Sequence, residues 1–180
     1  MIRVLPILAV TALLAGCASP VVTRIDAASP VAIAAPASFA LAPVPDDIAP
    51  VHVQARDMVV AGLRQRGWRD VDTADYLLAV TLADRPADAN LRAGDDTGRA
   101  VTVIAPAATR ENNSGCARRD HRLAITLTER TSGIIAYSGS AAEFHCKAAL
   151  PESLPYLVSA ALDGMGRQPG IRQVERDGRR

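Results

Sequence analysis

Cys116, Cys146, His121 and His145 are the side chains of this 180-residue chain whose types and spacing offer the most chemistry. The two thiols flank a stretch that reads as a β-hairpin with its turn near Thr131. In an oxidising compartment such a pair closes a structural disulfide. A redox-active pair instead sits close in sequence, as Cys-x-x-Cys, with one thiol activated at a helix start. Cys116 and Cys146 lie equally far from the turn, so a regular ladder sets them opposite each other, pairs Leu127 with Ile135 and Ile125 with Tyr137, and puts His121 opposite Ala141. Closing a loop of that size contributes roughly 3 to 4 kcal/mol in the chain-entropy model. The rival is a zinc site from Cys116, His121, His145 and Cys146. Neighbours on a strand point to opposite faces, so His145 and Cys146 diverge and the four ligands do not converge. No metal and no cofactor are expected, and His52, on the first predicted helix, reads as a surface residue.

Other catalytic patterns are missing. No Gly-x-Ser-x-Gly elbow and no cysteine with a placed histidine base is present, and Asp120-His121 is a pair of chain neighbours. Asp84, Asp88, Asp95 and Asp96 lack the alternating spacing of a calcium loop and read as a solvated acidic stretch. No phosphate-cradling glycine loop occurs. The net charge of +1 gives no footprint for nucleic acid.

The N-terminus carries an address. Met1-Ile2-Arg3 is a short cationic start, Val4 to Leu13 is nearly unbroken apolar, and Leu14-Ala15-Gly16-Cys17 follows. The apolar run is shorter than the roughly 18 residues a membrane span needs and contains Pro6, so residues 1–16 read as a cleaved secretory signal. The tetrapeptide is similar to the lipobox of bacterial lipoproteins, in which the cysteine is lipidated. A diacylglyceryl thioether and an acylated (palmitate-type) amine on Cys17 place about three chains in the bilayer, and two suffice for stable anchoring. By resemblance to enterobacterial lipoproteins, Ala18 rather than Asp after the cysteine implies export to the outer membrane, with the domain facing the periplasm.

Beyond the anchor, six prolines between Pro20 and Pro50 mark residues 17–37 as a Pro/Ala-rich tether, with a possible first strand at 21–26 and a second at Ser38-Phe39-Ala40-Leu41. Val51, Ala55, Met58, Val59, Gly62 and Leu63 recur at helical spacing, predicting a helix over 48–66 capped by Asp46 or Asp47, with Gly67 as its left-handed stop. Tyr76, Leu78, Val80 and Leu82 predict an interior strand over 74–83, since Leu77 and Ala79 are apolar too. The hairpin occupies 121–144, and a second helix 153–165 carries Leu154, Leu157, Val158, Ala161 and Leu162 on one stripe. Residues 85–117 resist assignment beyond a strand near 101–104. Residues 167–180 read as an Arg-rich solvated tail, or as a contact for an anionic envelope polymer. The fold expected is α+β, a small two-layer domain with a mainly antiparallel sheet and both helices packed on one face.

The lipobox, Val21-Val22-Thr23-Arg24-Ile25-Asp26, the helix end Leu63-Arg64-Gln65-Arg66-Gly67-Trp68 and the strand Ala74-Asp75-Tyr76-Leu77-Leu78-Ala79-Val80 together resemble the DUF4136 family of bacterial lipoproteins, over about Val21 to Met165. Where members often carry Trp in the last strand, this chain has Ala136-Tyr137-Ser138-Gly139. The family has no assigned activity, so the resemblance implies the fold of residues 38–166 and the location, and no catalytic residues. The function expected is a non-catalytic binding or envelope-structural lipoprotein with a protein or polymer partner. The alternative is an envelope hydrolase with its site in residues 85–117.

Overall fold

A computed structural model of the chain describes residues 20–33, 37–45, 48–87, 91–94, 100–105 and 119–178. Strands β1 (Val21–Ala28) and β2 (Ser38–Leu41) precede helix α1 (Pro50–Gln65). Then come β3 (Arg69–Asp70), β4 (Tyr76–Pro86), β5 (Leu91–Gly94), β6 (Ala100–Ala105), β7 (Arg119–Glu129), β8 (Ile135–His145), α2 (Leu150–Asp163) and β9 (Gly170–Arg176). Seven strands form one mixed sheet in the order β3-β2-β4-β7-β8-β1-β9. β2 runs parallel to β3 and β4, and the pairings from β4 to β9 are antiparallel. The fold class is therefore α+β and mostly sheet, with β4 an interior strand as its two apolar faces predict.

Local chemistry explains the helix ends. α1 opens with Pro50 in its first turn after Ala49, where the missing N–H costs nothing. The N-cap is thus Ala49, which has no polar side chain to cap with, rather than Asp46 or Asp47, and those two residues lie outside the described ones. At the other end the Gly67 N–H donates to the Arg64 carbonyl and the Trp68 N–H to that of Leu63, with Gly67 at φ 83°, a Schellman stop. Trp68 then lies 6.4 Å from the Phe39 ring and 5.8 Å from that of Tyr76. α1 touches α2 at Gly62, where an added Cβ would fall 2.5 Å from Leu162 Cδ1, so the helices close on each other only because that side chain is absent.

The core is one aliphatic cluster. It joins Phe39, Leu78, Leu123, Ile125, Leu127, Tyr137 and Ala141 of the strands to Val59 and Leu63 of α1 and Leu154, Leu157 and Leu162 of α2. α2 lies against β7, β8 and β1, and α1 against α2, β4 and β3.

Four expectations change. The first is that the strand allowed for at 21–26 is β1, which runs on to Ala28 and sits inside the sheet between β8 and β9 with Ile25 and Ala27 buried, so this part of 17–37 belongs to the domain. The second concerns residues 170–176, which are not a solvated tail but form β9, antiparallel to β1 from Val21↔Arg176 to Ala27↔Gly170. The third is the hairpin register, which shifts between Leu127 and Thr128. That bulge adds one residue to a turn already displaced by one, so Leu127 faces Tyr137, Ile125 faces Gly139 and His121 faces Glu143, each two residues from the regular ladder. The fourth concerns 85–117, where the strand expected near 101–104 is present as β6 but pairs with β5 in a separate two-stranded sheet, outside the core sheet. Asp88, Asp95, Asp96, Cys116 and Cys17 lie outside the described residues.

Candidate functional site

The register shift has a chemical consequence. Along β7 and β8 the apolar alternation of Leu127, Ile125, Leu123 and of Tyr137, Gly139, Ala141 continues into His121 and into Glu143 and His145, which all point to the same side. All three are buried. The imidazoles of His121 and His145 stack with centroids 4.7 Å apart and planes inclined by 31°. The expectation that the hairpin separates these histidines is thus overturned, because it rested on a ladder without a bulge.

Glu143 is the hub. Its Oε1 accepts from Thr23 Oγ1 on β1 (2.6 Å) and Arg176 Nε on β9 (3.1 Å), and its Oε2 accepts from Arg176 Nη2 (2.6 Å) and His145 Nε2 (2.9 Å). Burial opposes its ionisation, but the hydrogen bonds from His145, Arg176 and Thr23 outweigh that cost and hold the carboxyl at about 2. The fork of Arg176 fits the carboxylate bidentately, and its guanidinium carbon rests 3.8 Å above the centre of the Tyr156 ring on α2. Two arginines read as part of a free tail are thereby engaged, since Arg172 also pairs with Asp163 at 3.2 Å.

His121 ties α2 to the sheet. Its Nδ1 lies 2.8 Å from Ser153 Oγ, and that hydroxyl donates to the Leu150 carbonyl at 3.0 Å. The serine thus bridges the His121 ring and the Leu150 carbonyl. Asp84 Oδ1 lies 3.5 Å from His121 Nε2 and accepts from Arg119 Nε at 2.6 Å. The Arg119 hydrogen bond holds the Asp84 carboxyl below its ordinary value. Burial, reinforced by the neighbouring His145, pushes the His121 imidazole below its ordinary value.

Asp84, His121 and Ser153 thus have the residue types of a hydrolytic triad but not its chemistry. A nucleophilic serine must be reachable by substrate, whereas Ser153 is 1% exposed and its hydroxyl also meets the Leu150 carbonyl. Among the described residues no group of three or more His, Cys, Asp or Glu side chains is placed to hold a metal ion. The remaining sequence candidates stay apart from this cluster: Asp120 is buried beside Arg85 and Arg122, and His52 is partly exposed on α1. One shallow concavity of about 580 Å³ opens elsewhere, lined by Leu41, Pro43, Asp70, Asp72, Leu77 and Arg130.

The polar cluster was detectable in principle. Glu143 and His145 keep the parity of Tyr137 and Ala141, so an ionisable pair on an otherwise buried face was the signal. Arg176 and Ser153, their partners from distant elements, left no such trace.

No family model matches the chain, and no curated protein matches it. Among solved structures, a PDZ-domain protein from Parabacteroides distasonis is similar over 87% of the chain with a TM-score of 0.57 at 10% identity, a likeness of fold alone. The chain spans 38% of that protein's length. Two crystal forms of the PelC dodecamer from Paraburkholderia phytofirmans align over 79% and 81% of the chain, with a TM-score of 0.48 for each, at 13% and 12% identity, and over 95% and 99% of their own lengths.

Proposed function

We propose that this chain is a DUF4136-like lipoprotein, anchored through Cys17 to the periplasmic face of the outer membrane and acting as a non-catalytic binding or structural module of the envelope. The observation that carries this reading is the lipobox Leu14-Ala15-Gly16-Cys17 at the end of an apolar run, only four positions ahead of the first residue of β1. The fate of the buried polar groups supports binding over catalysis. Among the described residues Glu143 is engaged by Thr23, His145 and Arg176, and Ser153 is buried between His121 and the Leu150 carbonyl.

The domain is two-layered in this reading, with both helices on one face of the sheet. Residues Ile25, Ala27, Leu82, Leu123 and Tyr137 are buried toward the helices, while their neighbours Arg24, Asp26, Thr81 and Ser138 are exposed on the other side, open to a protein or polymer partner. Cys116 and Cys146 form a disulfide in the oxidising periplasm. Its support is the compartment rather than a direct cross-ladder pairing, because the shifted register ends with Arg119 opposite His145 and Cys146 just beyond.

Fractionation of cells carrying Cys17→Ser tests the anchor. The variant is expected to leave the membrane fraction or to accumulate as an uncleaved precursor, and wild-type behaviour would refute the assignment. Non-reducing digestion of the mature protein should yield both a lipid-modified Cys17 peptide and a linked Cys116–Cys146 pair; alkylatable thiols at both positions would refute the disulfide.

A further inference from the structure

The place of β1 in the sheet decides how an anchored domain meets the bilayer. Only Ala18, Ser19 and Pro20 separate Cys17 from Val21, the first residue of β1, a reach of at most about 14 Å. β1 cannot pay out more chain, because it is hydrogen-bonded between β8 and β9. The end of the sheet where β1 starts is also where β4 finishes at Pro86, β7 begins at Arg119, β8 finishes at His145 and β9 finishes at Arg176. Tyr156, 42% exposed and stacked on Arg176, stands there, with exposed Lys147 two residues past β8. An amphipathic tyrosine beside an exposed lysine suits the headgroup layer, where an aromatic body and a charged head are both accommodated, while Arg176 and Arg119 remain paired with Glu143 and Asp84.

We infer that this end of the sheet, marked by Tyr156, Arg176, Arg119 and Lys147, is a membrane-docking surface that rests on the phospholipid headgroups of the leaflet holding the anchor. The inference rests on the lipid anchor proposed above. The domain does not swing on a leash: the hairpin turn and Trp68 are held away from the bilayer. Trp68 packs on Tyr76, the first residue of the 11-residue β4, and so lies about 35 Å from the docked end.

The chain itself supplies two probes, since Lys147 is the sole lysine and Trp68 the sole tryptophan. The full-length lipidated protein is reconstituted into phosphatidylethanolamine–phosphatidylglycerol vesicles, and flotation and intact mass report the anchor. Acylation of Lys147 by a membrane-impermeant amine reagent is expected to be several-fold slower than in a variant with ten Gly/Ser residues inserted after Pro20. In a second measurement, lipids bearing a nitroxide headgroup should quench Tyr156→Trp in a Trp68→Phe background and leave Trp68 of the wild-type protein bright. Protein that floats but shows no protection of Lys147 and no quenching at position 156 overturns the docking and leaves the anchor standing. Protein that carries no lipid and does not float overturns both.

Discussion

The buried side of β7 and β8 has two halves built from the same two strands and enclosed by the same helix. Toward the hairpin turn, Leu123, Ile125, Leu127 and Tyr137 pack into an aliphatic core. Toward the other end, His121, Glu143 and His145 are as well buried but meet Thr23, Ser153 and Arg176. The difference teaches where specificity resides. Apolar burial is non-directional and scales with area, roughly 25 cal/mol per Å², so the aliphatic half tolerates imperfect partners. A buried carboxylate has no such latitude: it is stable only while its hydrogen bonds are complete. The polar half therefore specifies which strand lies at the edge, because only β9 delivers Arg176 to Glu143.

Arg176→Ala should expose that contrast most strongly. Removing one partner of a buried pair costs about 3–5 kcal/mol, here by stranding Glu143, and urea unfolding should show a loss of that size. Arg176→Leu combined with Glu143→Leu should regain most of it. A single variant within about 1 kcal/mol of wild type would mean that the polar half relaxes as readily as the apolar one.

Leu127→Ala, the equivalent deletion in the aliphatic half, is expected to cost roughly 3 kcal/mol through lost transfer energy and the cavity left behind, again read by urea unfolding. Unlike the arginine variant, its loss should be the same at pH 7 and pH 5, since no ionisable group is stranded. A loss that changes across that range would show the two halves to be coupled.

Acid separates them more gently. The His121 imidazole is held below its ordinary 6.5, so the unfolded chain takes up a proton that the folded one refuses, and stability is expected to fall as pH drops below about 6.5. Glu143, held at about 2 against an ordinary 4.5, contributes stability that is complete above pH 4.5 and is lost only as pH falls from there toward 2. Stability measured against pH should thus decline in two stages. His121→Asn, whose amide can donate to Ser153, should flatten the upper stage alone; an unchanged upper stage would assign it to another group.

Periodicity decided the elements that bury one continuous stripe. α1, α2, β4, β7 and β8 are legible from their apolar spacing, and the stop of α1 from Gly67, because each is a property of a few neighbouring residues. β9 was not legible. Gly170-Ile171-Arg172-Gln173-Val174-Glu175-Arg176 lies at a sheet edge, with Ile171 59% and Val174 49% exposed, and an edge strand needs no apolar face to recognise it by. β1 was legible as a strand but not as an interior one, since its place beside β8 is set by pairing over more than 100 positions of chain.

The sequence by itself determined α1, α2, β4, β7 and β8 and the aliphatic core they share, all of them local patterns. Tertiary structure alone decided the register, and with it the site. One extra residue, Ala136, bulges opposite the step from Leu127 to Thr128, and together with a turn displaced by one it leaves β8 two residues from the regular ladder, so that from Tyr137 onward each side chain keeps its face but changes its partner. Hydrophobic alternation is blind to such a slip. The charges are not, because His121 meets Glu143 and His145 only in the shifted ladder, and Glu143 is tolerable in the interior only when Thr23 and Arg176 arrive from elements far away in the chain.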